Sequence, residues 1–320
     1  MSKSQKDSTI QGYGHVFSRN PIDRGERERR DENTISSMAE SLDSLFLPLR
    51  NLDLLVNTSE SDDQPSLKWM ELKELQKRNV ASTPIFLGIL EGIYRFAIDV
   101  TGEHFEDQYL KTMDPQLRFI DVRTCGEMLG PEDAGLAAQA RIQTNWHQQY
   151  RYCSSCGSET SMKRGGQVRS CSNCGTQHFP RTDPVIIVVV HDGDRCLLGQ
   201  SRGRLQQTNT YSALAGFVDQ GESIEEAVAR EVMEEAGIKV KNVRYHSSQP
   251  WPLPYSLMIG CHAEAFTTEI NMDPEEMTDV KWFSREEVLQ SLHGNTDILR
   301  IPMKLAIAHH LVKSWALDEI

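Results

Sequence analysis

Hydrophobic positions along the chain fall into blocks separated by turn residues, and the spacing within each block predicts its element. Residues 85–90 and 93–100 are apolar runs around Glu91 and Gly92, which predicts two strands joined by a tight turn. Residues 131–149 carry Ala134, Ala137, Ala138 and Ala140 and are expected to be helical. Residues 184–190 form a continuous β-branched run of strand length, and Asp192, Gly193 and Asp194 supply a hairpin turn before Cys196 and Leu197. Further strands are expected near Ala213 and over 238–245, 257–266 and 280–283. Two helices punctuate them, one over 223–236 and one starting at Ser284. Each opens with a capping box, Ser223 with Glu226 and Ser284 with Glu287. Residues 301–317 are expected to close the chain as an amphipathic helix. There are no internal repeats, and strands interleaved with a few helices predict an α/β class.

Residues 1–40 are polar, with a mixed-charge run from 23 to 32, and are expected to form a flexible extension that cannot bury enough surface to order itself. A first domain is expected over 41–150, where no catalytic signature occurs. A compact cysteine-rich segment follows over 151–180, and 181–320 forms the domain with the chemistry. The 320 residues are 38% hydrophobic and 25% charged, which suits a globular chain of about two domains. No apolar run approaches the ~20 residues needed to span a bilayer. The N-terminus lacks a signal-peptide core, so a cytoplasmic location is expected. A net charge of −12 argues against a main task of gripping nucleic acid, but a bound cation can invert the field locally for a small polyphosphate.

The segment 216–238 reads GFVDQGESIEEAVAREVMEEAGI. Ser223 can cap the helix and Gly237 can end it in the left-handed conformation. Ile224, Ala227, Val228 and Val232 form one apolar stripe, and continuing it reaches Glu231 and Glu235, one turn apart, with Glu234 at the edge. Turning several unpaired carboxylates toward a core costs several kcal/mol per ion, and a hard divalent cation with oxygen ligands is the usual compensation. The plain alternative is an exposed, solvated helix with Glu226 and Arg230 paired at i, i+4.

Gly216, Glu222, Arg230, Glu231, Glu234, Glu235 and Gly237 occupy every fixed position of G-x5-E-x7-R-E-U-x-E-E-x-G-U, with Val232 and Ile238 at the aliphatic sites. This resembles the Nudix box. The resemblance implies an α/β/α sandwich with a mixed sheet and hydrolysis of a nucleoside diphosphate linked to another moiety, assisted by Mg2+ or Mn2+. It implies Glu231 and Glu235 as metal ligands and Glu234 as a further ligand or the base. Arg230 would orient a glutamate. Which glutamate is the base stays open. Cations neutralise charge on the phosphoryl oxygens and help ionise the attacking water.

Downstream, Ser248, Gln249, Pro250, Trp251, Pro252, Leu253, Pro254, Tyr255 and Ser256 are consecutive. Three prolines in five residues predict a stiff preformed loop, not a helix or central strand, that presents Trp251, Gln249 and Ser256. The segment resembles the SQPWPFPxS signature of NADH pyrophosphatases, with Leu253 at a position where relatives carry Phe. The resemblance assigns it to the nicotinamide-mononucleotide side of the pocket. It also implies that Phe179 and Phe217 sandwich a base ring, that Glu276 and the Ala215 carbonyl reach the metal, and that Ala308 contacts substrate. Arg202 and Arg204 are candidates for steering phosphates.

Cys153-x2-Cys156-x14-Cys171-x2-Cys174 has metal-site spacing, and Gly157 and Gly175 permit the tight turns that aim amides at thiolates. Four thiolates with no open position suit structural Zn2+; rubredoxin-like iron or a redox pair are the alternatives. NADH pyrophosphatases carry a zinc ribbon at this place, after a smaller N-terminal α+β domain. Cys125, Cys196 and Cys261 are expected to be buried thiols. The resemblance names NADH or NAD as substrate, extends to NAD-capped RNA 5′ ends, and implies a homodimer. Two other readings compete. One is a zinc-ribbon nucleic-acid-binding regulator with a Nudix sensor domain. The other is a Nudix hydrolase acting on ADP-ribose or diadenosine polyphosphates.

Overall fold

The computed structural model describes residues 14–58, 64–102, 105, 110, 114–296 and 298–319. The chain divides into two compact units. Among the described residues, one comprises 16–182 with Pro250–Ser256; the other comprises Asp183–Gln249 and the residues from Leu257 to 319, with 14 and 15. None of the helices among the described residues is long and apolar enough to cross a membrane.

The first unit opens with α1 (Glu32–Ala39), capped by Asp31. Strands β1 (Ser44–Arg50), β2 (Asp53–Asn57), β3 (Ser66–Leu67) and β4 (Met70–Glu71) follow, then the short α2 (Leu72–Gln76). The expected hairpin is present as β5 (Ile85–Leu90) and β6 (Ile93–Asp99), with Glu91 and Gly92 both at positive φ. β7 (Leu117–Ile120), α3 (Val122–Met128) and α4 (Pro131–Gln149) complete this part. The sheet order is β3-β2-β1-β6-β5, with β4 on β1 and β7 on β2. The β1–β6 pair is parallel, so the sheet is mixed. A separate three-stranded sheet is built from β8 (Thr160–Lys163), β9 (Val168–Cys171) and β10 (Gln177–His178).

The flexible extension expected over 1–40 needs correction for its described part; residues 1–13 lie outside the described residues. Phe17, Ile22, Ile35 and Met38 are buried, and Ile35 and Met38 join a core with Phe46, Phe86 and Phe96. Arg29 is fully buried and donates to the carbonyls of Arg24, Arg164, Gly165, Phe86 and Leu87. The segment orders because a few widely spaced apolar groups and one fully satisfied guanidinium find partners distant in sequence.

In the second unit β11 (Asp183–His191), β12 (Arg195–Ser201), α5 (Arg204–Gln207), β13 (Leu214–Phe217), α6 (Ile224–Ala236), β14 (Val240–Trp251), β15 (Ser256–Ala265), β16 (Met277–Ser284), α7 (Arg285–Leu292) and α8 (Ile307–Ala316) follow in order. The sheet runs β14-β15-β11-β12-β16, with β13 beside β11. Alternation along β11 explains the layers. Ile186, Val188 and Val190 pack with Ala227, Val228 and Val232 of α6, whereas Ile187 and Val189 pack with Leu311, Val312 and Trp315 of α8. A strand covered on both faces reads as a continuous apolar run, which is how it stands in the sequence. The result is an α/β/α sandwich.

Two expected boundaries move. The proline-rich segment is not all loop, because β14 continues through Trp251 and β15 begins at Ser256. Pro250 is tolerated because β14 lies at the end of the sheet, where a missing N–H breaks no central ladder. The Leu253–Pro254 bond at the tip is cis. The last helix begins at Ile307 and not at 301. Its N-cap, Ala306, has no capping side chain. Gln249 supplies the acceptor instead: its Oε1 takes the Ile307 N–H and its Nε2 donates to Leu305 O, both at 2.8 Å.

Candidate active site

The carboxylates are delivered by α6. Ser223 accepts the Glu226 N–H, Glu226 accepts the Ser223 N–H, and Gly237 ends the helix at φ 70. Glu226 is therefore occupied at the cap and does not pair with Arg230. The apolar stripe rotates Glu231 and Glu235 inward to 9% and 8% exposure, while Glu234 stays half exposed. Opposite them runs β13, which pairs with β11 so that Ala215 faces Ile187 and Gly216 faces Ile186.

Gly216 is required by close approach. A Cβ there would lie 2.0 Å from Glu231 Cδ, so the glycine opens the space that the carboxylate fills. Gly216→Ala is expected to displace Glu231 and lower turnover roughly 10²-fold, since about 1 Å of misplacement suffices for that. Steady-state rates with a melting curve check this; wild-type turnover would show that the Glu231 position is not needed.

Arg230 organises the cluster. Its Nε and Nη2 hold the Glu222 carboxylate at 2.6 and 2.9 Å, and Nη1 reaches Glu231 at 2.8 Å and Glu234 at 2.9 Å. Nη2 also donates to the Phe217 carbonyl at 2.8 Å. The expectation that Arg230 orients a glutamate thus understates it, because the side chain ties three glutamates to the strand end. Glu222, a pattern position without an assigned role in the sequence reading, anchors this fork and accepts the Asp219 N–H. Hydrogen bonds from Arg230 and from Asp219 hold its carboxyl below the usual range.

Glu235 is the least compensated member. Burial, with the charge of Glu231 and those of Glu276 and Glu234, pushes its carboxyl up to about 8 against one N–H bond from Ala215. Its Oε2 is buried and has no hydrogen-bond partner. Burial also raises the Glu231 carboxyl, against the opposing pull of Arg230. An unpartnered buried carboxylate oxygen among further acidic groups is what a hard divalent cation satisfies, so the donor set fits such an ion. Among the described residues, however, only the four cysteines bring ligand atoms within 4.8 Å of one another. Arg230 draws Glu231 and Glu234 toward itself, which keeps the glutamates grouped but not convergent.

The remaining expected site residues divide. Glu276 is exposed in the turn before β16, and its carbonyl accepts the Arg202 N–H. Arg202 turns its guanidinium onto the Pro274 carbonyl, so it braces that turn and is not held ready for phosphates. The Arg204 side chain lies outside the described residues. Ala308 is 2% exposed inside the core of the second unit, so its methyl is packing. Gln249 is 1% exposed with both amide ends used on the Leu305–Ile307 backbone, which corrects its expected presentation to substrate. Phe217 and Phe179 are exposed. Pro252, Tyr255 and Ser256 are buried, Pro250, Trp251 and Leu253 are half-buried, and Pro254 is exposed.

The four cysteines converge within 4.8 Å. Cys153 and Cys174 sulfurs lie 3.6 Å apart, and those of Cys156 and Cys171 lie 3.5 Å apart. A tetrahedral zinc with 2.3 Å bonds sets sulfurs about 3.8 Å apart, so the cage is nearly the right size. Each knuckle closes with a glycine at φ 75, Gly157 donating to Cys153 O and Gly175 to Cys171 O. Hydrogen bonds from the Ser158 backbone and side chain and from Asn173 pull the Cys156 thiol down to about 5. Cys125, Cys196 and Cys261 are fully buried, and burial pushes the Cys125 thiol up to about 12 and that of Cys261 to about 11.

Comparison with known proteins agrees with this layout. A NUDIX domain model matches residues 180–301, an NADH pyrophosphatase-like rudimentary NUDIX domain matches 43–146, and an NADH pyrophosphatase zinc ribbon domain matches 148–179. The chain is 34% identical over 348 residues to the NAD-capped RNA hydrolase NUDT12 of Homo sapiens, covering 94% of this chain and 73% of that one. It is 39% identical over 250 residues to the NAD-capped RNA hydrolase of Schizosaccharomyces pombe, covering 70% and 65%. With the NAD-capped RNA hydrolase NudC of Stutzerimonas stutzeri it shares 35% identity over 243 residues, covering 76% and 83%. With its three domain matches in register and NUDT12 aligned along nearly its whole length, this chain belongs to the NADH pyrophosphatase family of Nudix hydrolases.

Proposed function

We propose that the protein hydrolyses the pyrophosphate bond of NADH or NAD, giving (reduced) nicotinamide mononucleotide and AMP, and that NAD-capped RNA 5′ ends are cleaved at the same bond. The observation that carries this reading is the buried, unpartnered Glu235 oxygen beside Glu231, whose carboxylate fills the space that Gly216 leaves. Glu231 and Glu235 would hold Mg2+ or Mn2+, with Glu276 and the Ala215 carbonyl as further oxygen donors and Glu234 as a further ligand or the base. When bound, the cation polarises the phosphoryl oxygens and lowers the pKa of water. Arg230 keeps Glu222, Glu231 and Glu234 in register. Glu234, half exposed and held by a single nitrogen, is the group best placed to take a proton from water.

The ribbon cysteines hold Zn2+ in a structural role in this reading. The chain acts as a homodimer, and its free thiols suit a reducing compartment such as the cytoplasm. Relatives include proteins named as chloroplastic and mitochondrial.

Metal contacts to a diphosphate are common to NADH and ADP-ribose, so only groups meeting the nicotinamide end can discriminate. Trp251 is the candidate, since a preformed aromatic contact contributes roughly 0.5–1.5 kcal/mol, up to about a tenfold preference. Trp251→Ala is expected to erode the NADH to ADP-ribose ratio of kcat/KM up to about tenfold, and more than it erodes ADP-ribose hydrolysis. A wild-type preference for ADP-ribose, or an equal loss on both substrates, would overturn the substrate assignment.

A further inference from the structure

Pro250, Pro252 and Pro254 carry no N–H, so the segment they punctuate has few donors with which to fasten itself. Leu253 N–H bonds back to the Trp251 carbonyl at 2.8 Å. Other anchors come from distant parts of the chain. Arg141, on α4, donates from Nη1 to the Pro252 carbonyl. Arg123, on α3, places its guanidinium 5.6 Å from the centre of the Trp251 indole. Phe17 meets the same indole edge-on at 6.0 Å and 78°. The Arg181 guanidinium lies 5.7 Å from the Tyr255 ring. The segment accordingly packs as part of the unit formed by residues 16–182, whereas Glu231 and Glu235 belong to the other unit.

We propose that Arg141 and Arg123 are positioning residues that set the choice of substrate, by holding the proline-rich segment and the Trp251 indole where they meet the nicotinamide half. This rests on the reading of that segment given above. Arginine suits both contacts. Its guanidinium gives a directed donor to the Pro252 carbonyl, and its charge lies within cation–π range of the indole. Burial lowers the Arg141 guanidinium below its ordinary range, and Asp53, Tyr255 and Asp121 only partly offset that.

The test measures kcat and KM for NADH and for ADP-ribose, with melting curves, in the wild type, Arg141→Ala, Arg141→Lys, Arg123→Ala and Trp251→Ala. Both arginine-to-alanine variants are expected to raise KM for NADH roughly tenfold, with kcat and ADP-ribose hydrolysis changed less than about twofold. Arg141→Lys keeps a donor and is expected to recover part of the loss; it also stands in should Arg141→Ala fail to fold. Adding Arg123→Ala to Trp251→Ala should cost little further, because the ring it holds is gone. Equal losses on both substrates would reduce the arginines to fold supports and overturn the proposal. Unchanged NADH selectivity in the arginine variants, with selectivity lost in Trp251→Ala, would overturn it while leaving the role of the segment intact. If Trp251→Ala keeps the NADH preference, the reading of the segment fails and the proposal falls with it.

Discussion

Glu235→Gln is expected to leave the fold in place and to lower turnover roughly 10³-fold at saturating Mg2+, a loss of about 4 kcal/mol of transition-state stabilisation. The substitution is isosteric, and one oxygen remains to accept the Ala215 N–H. What it removes is the charge on a side chain that is 8% exposed and has one oxygen without a partner. The same reasoning gives the stability a sign. Above about pH 8 and without added divalent cation, the wild-type carboxyl is charged among Glu231, Glu234 and Glu276, and a neutral amide relieves that repulsion. The variant should therefore melt at the same temperature as the wild type or higher when Mg2+ is omitted, and should lose the stabilisation that Mg2+ gives the wild type. Melting curves with and without Mg2+, alongside turnover, check both halves. Wild-type turnover would remove Glu235 from the metal site.

The second large effect concerns the ribbon. Cys171→Ser is expected to release zinc and to destabilise the ribbon by several kcal/mol, because metal binding and folding of so small a knuckle are one event. Cys171 is 2% exposed, its sulfur lies 3.5 Å from that of Cys156, and its N–H is held by Thr176 O. The damage should spread through the first unit. Arg29 draws two of its carbonyl acceptors from Arg164 and Gly165, and the buried His147 bonds Gly166 O at 2.9 Å. Elemental analysis should find about one zinc per chain in the wild type and far less in the variant. Zinc-free wild-type protein purified without chelator, together with an unchanged melting temperature in the variant, would remove the site.

What was legible in the sequence is what local chemistry dictates. The β11 run, the capped α6, the β5–β6 hairpin and the α4 span of 131–149 each carry their own start, period and stop, and each stands where expected. The cysteine spacing likewise contained its own geometry. The misreadings share a different cause. Residues 14–40 look solvated because their apolar groups are sparse, and only the carbonyls of residues 86, 87, 164 and 165 show what Arg29 is for. The two-residue strands β3 and β4 are too short to carry a period, and Pro48 inside β1 reads as a break. Gln249 looked like a substrate contact because its neighbours in sequence suggested one, yet its partners lie 56 and 58 residues away. Arg141 and Arg123 carried no signal, since an isolated arginine on a helix gives no hint of the carbonyl or ring it will meet.

We propose that this chain cleaves a dinucleotide at its pyrophosphate with help from a divalent cation held by Glu231 and Glu235. Chromatography of the products formed from NADH, with and without added Mg2+ or Mn2+, tests it most directly. The account predicts AMP and reduced nicotinamide mononucleotide in equal amounts, formed only when the cation is supplied. Intact NADH in the presence of cation, or products that include free reduced nicotinamide and ADP-ribose, would contradict it.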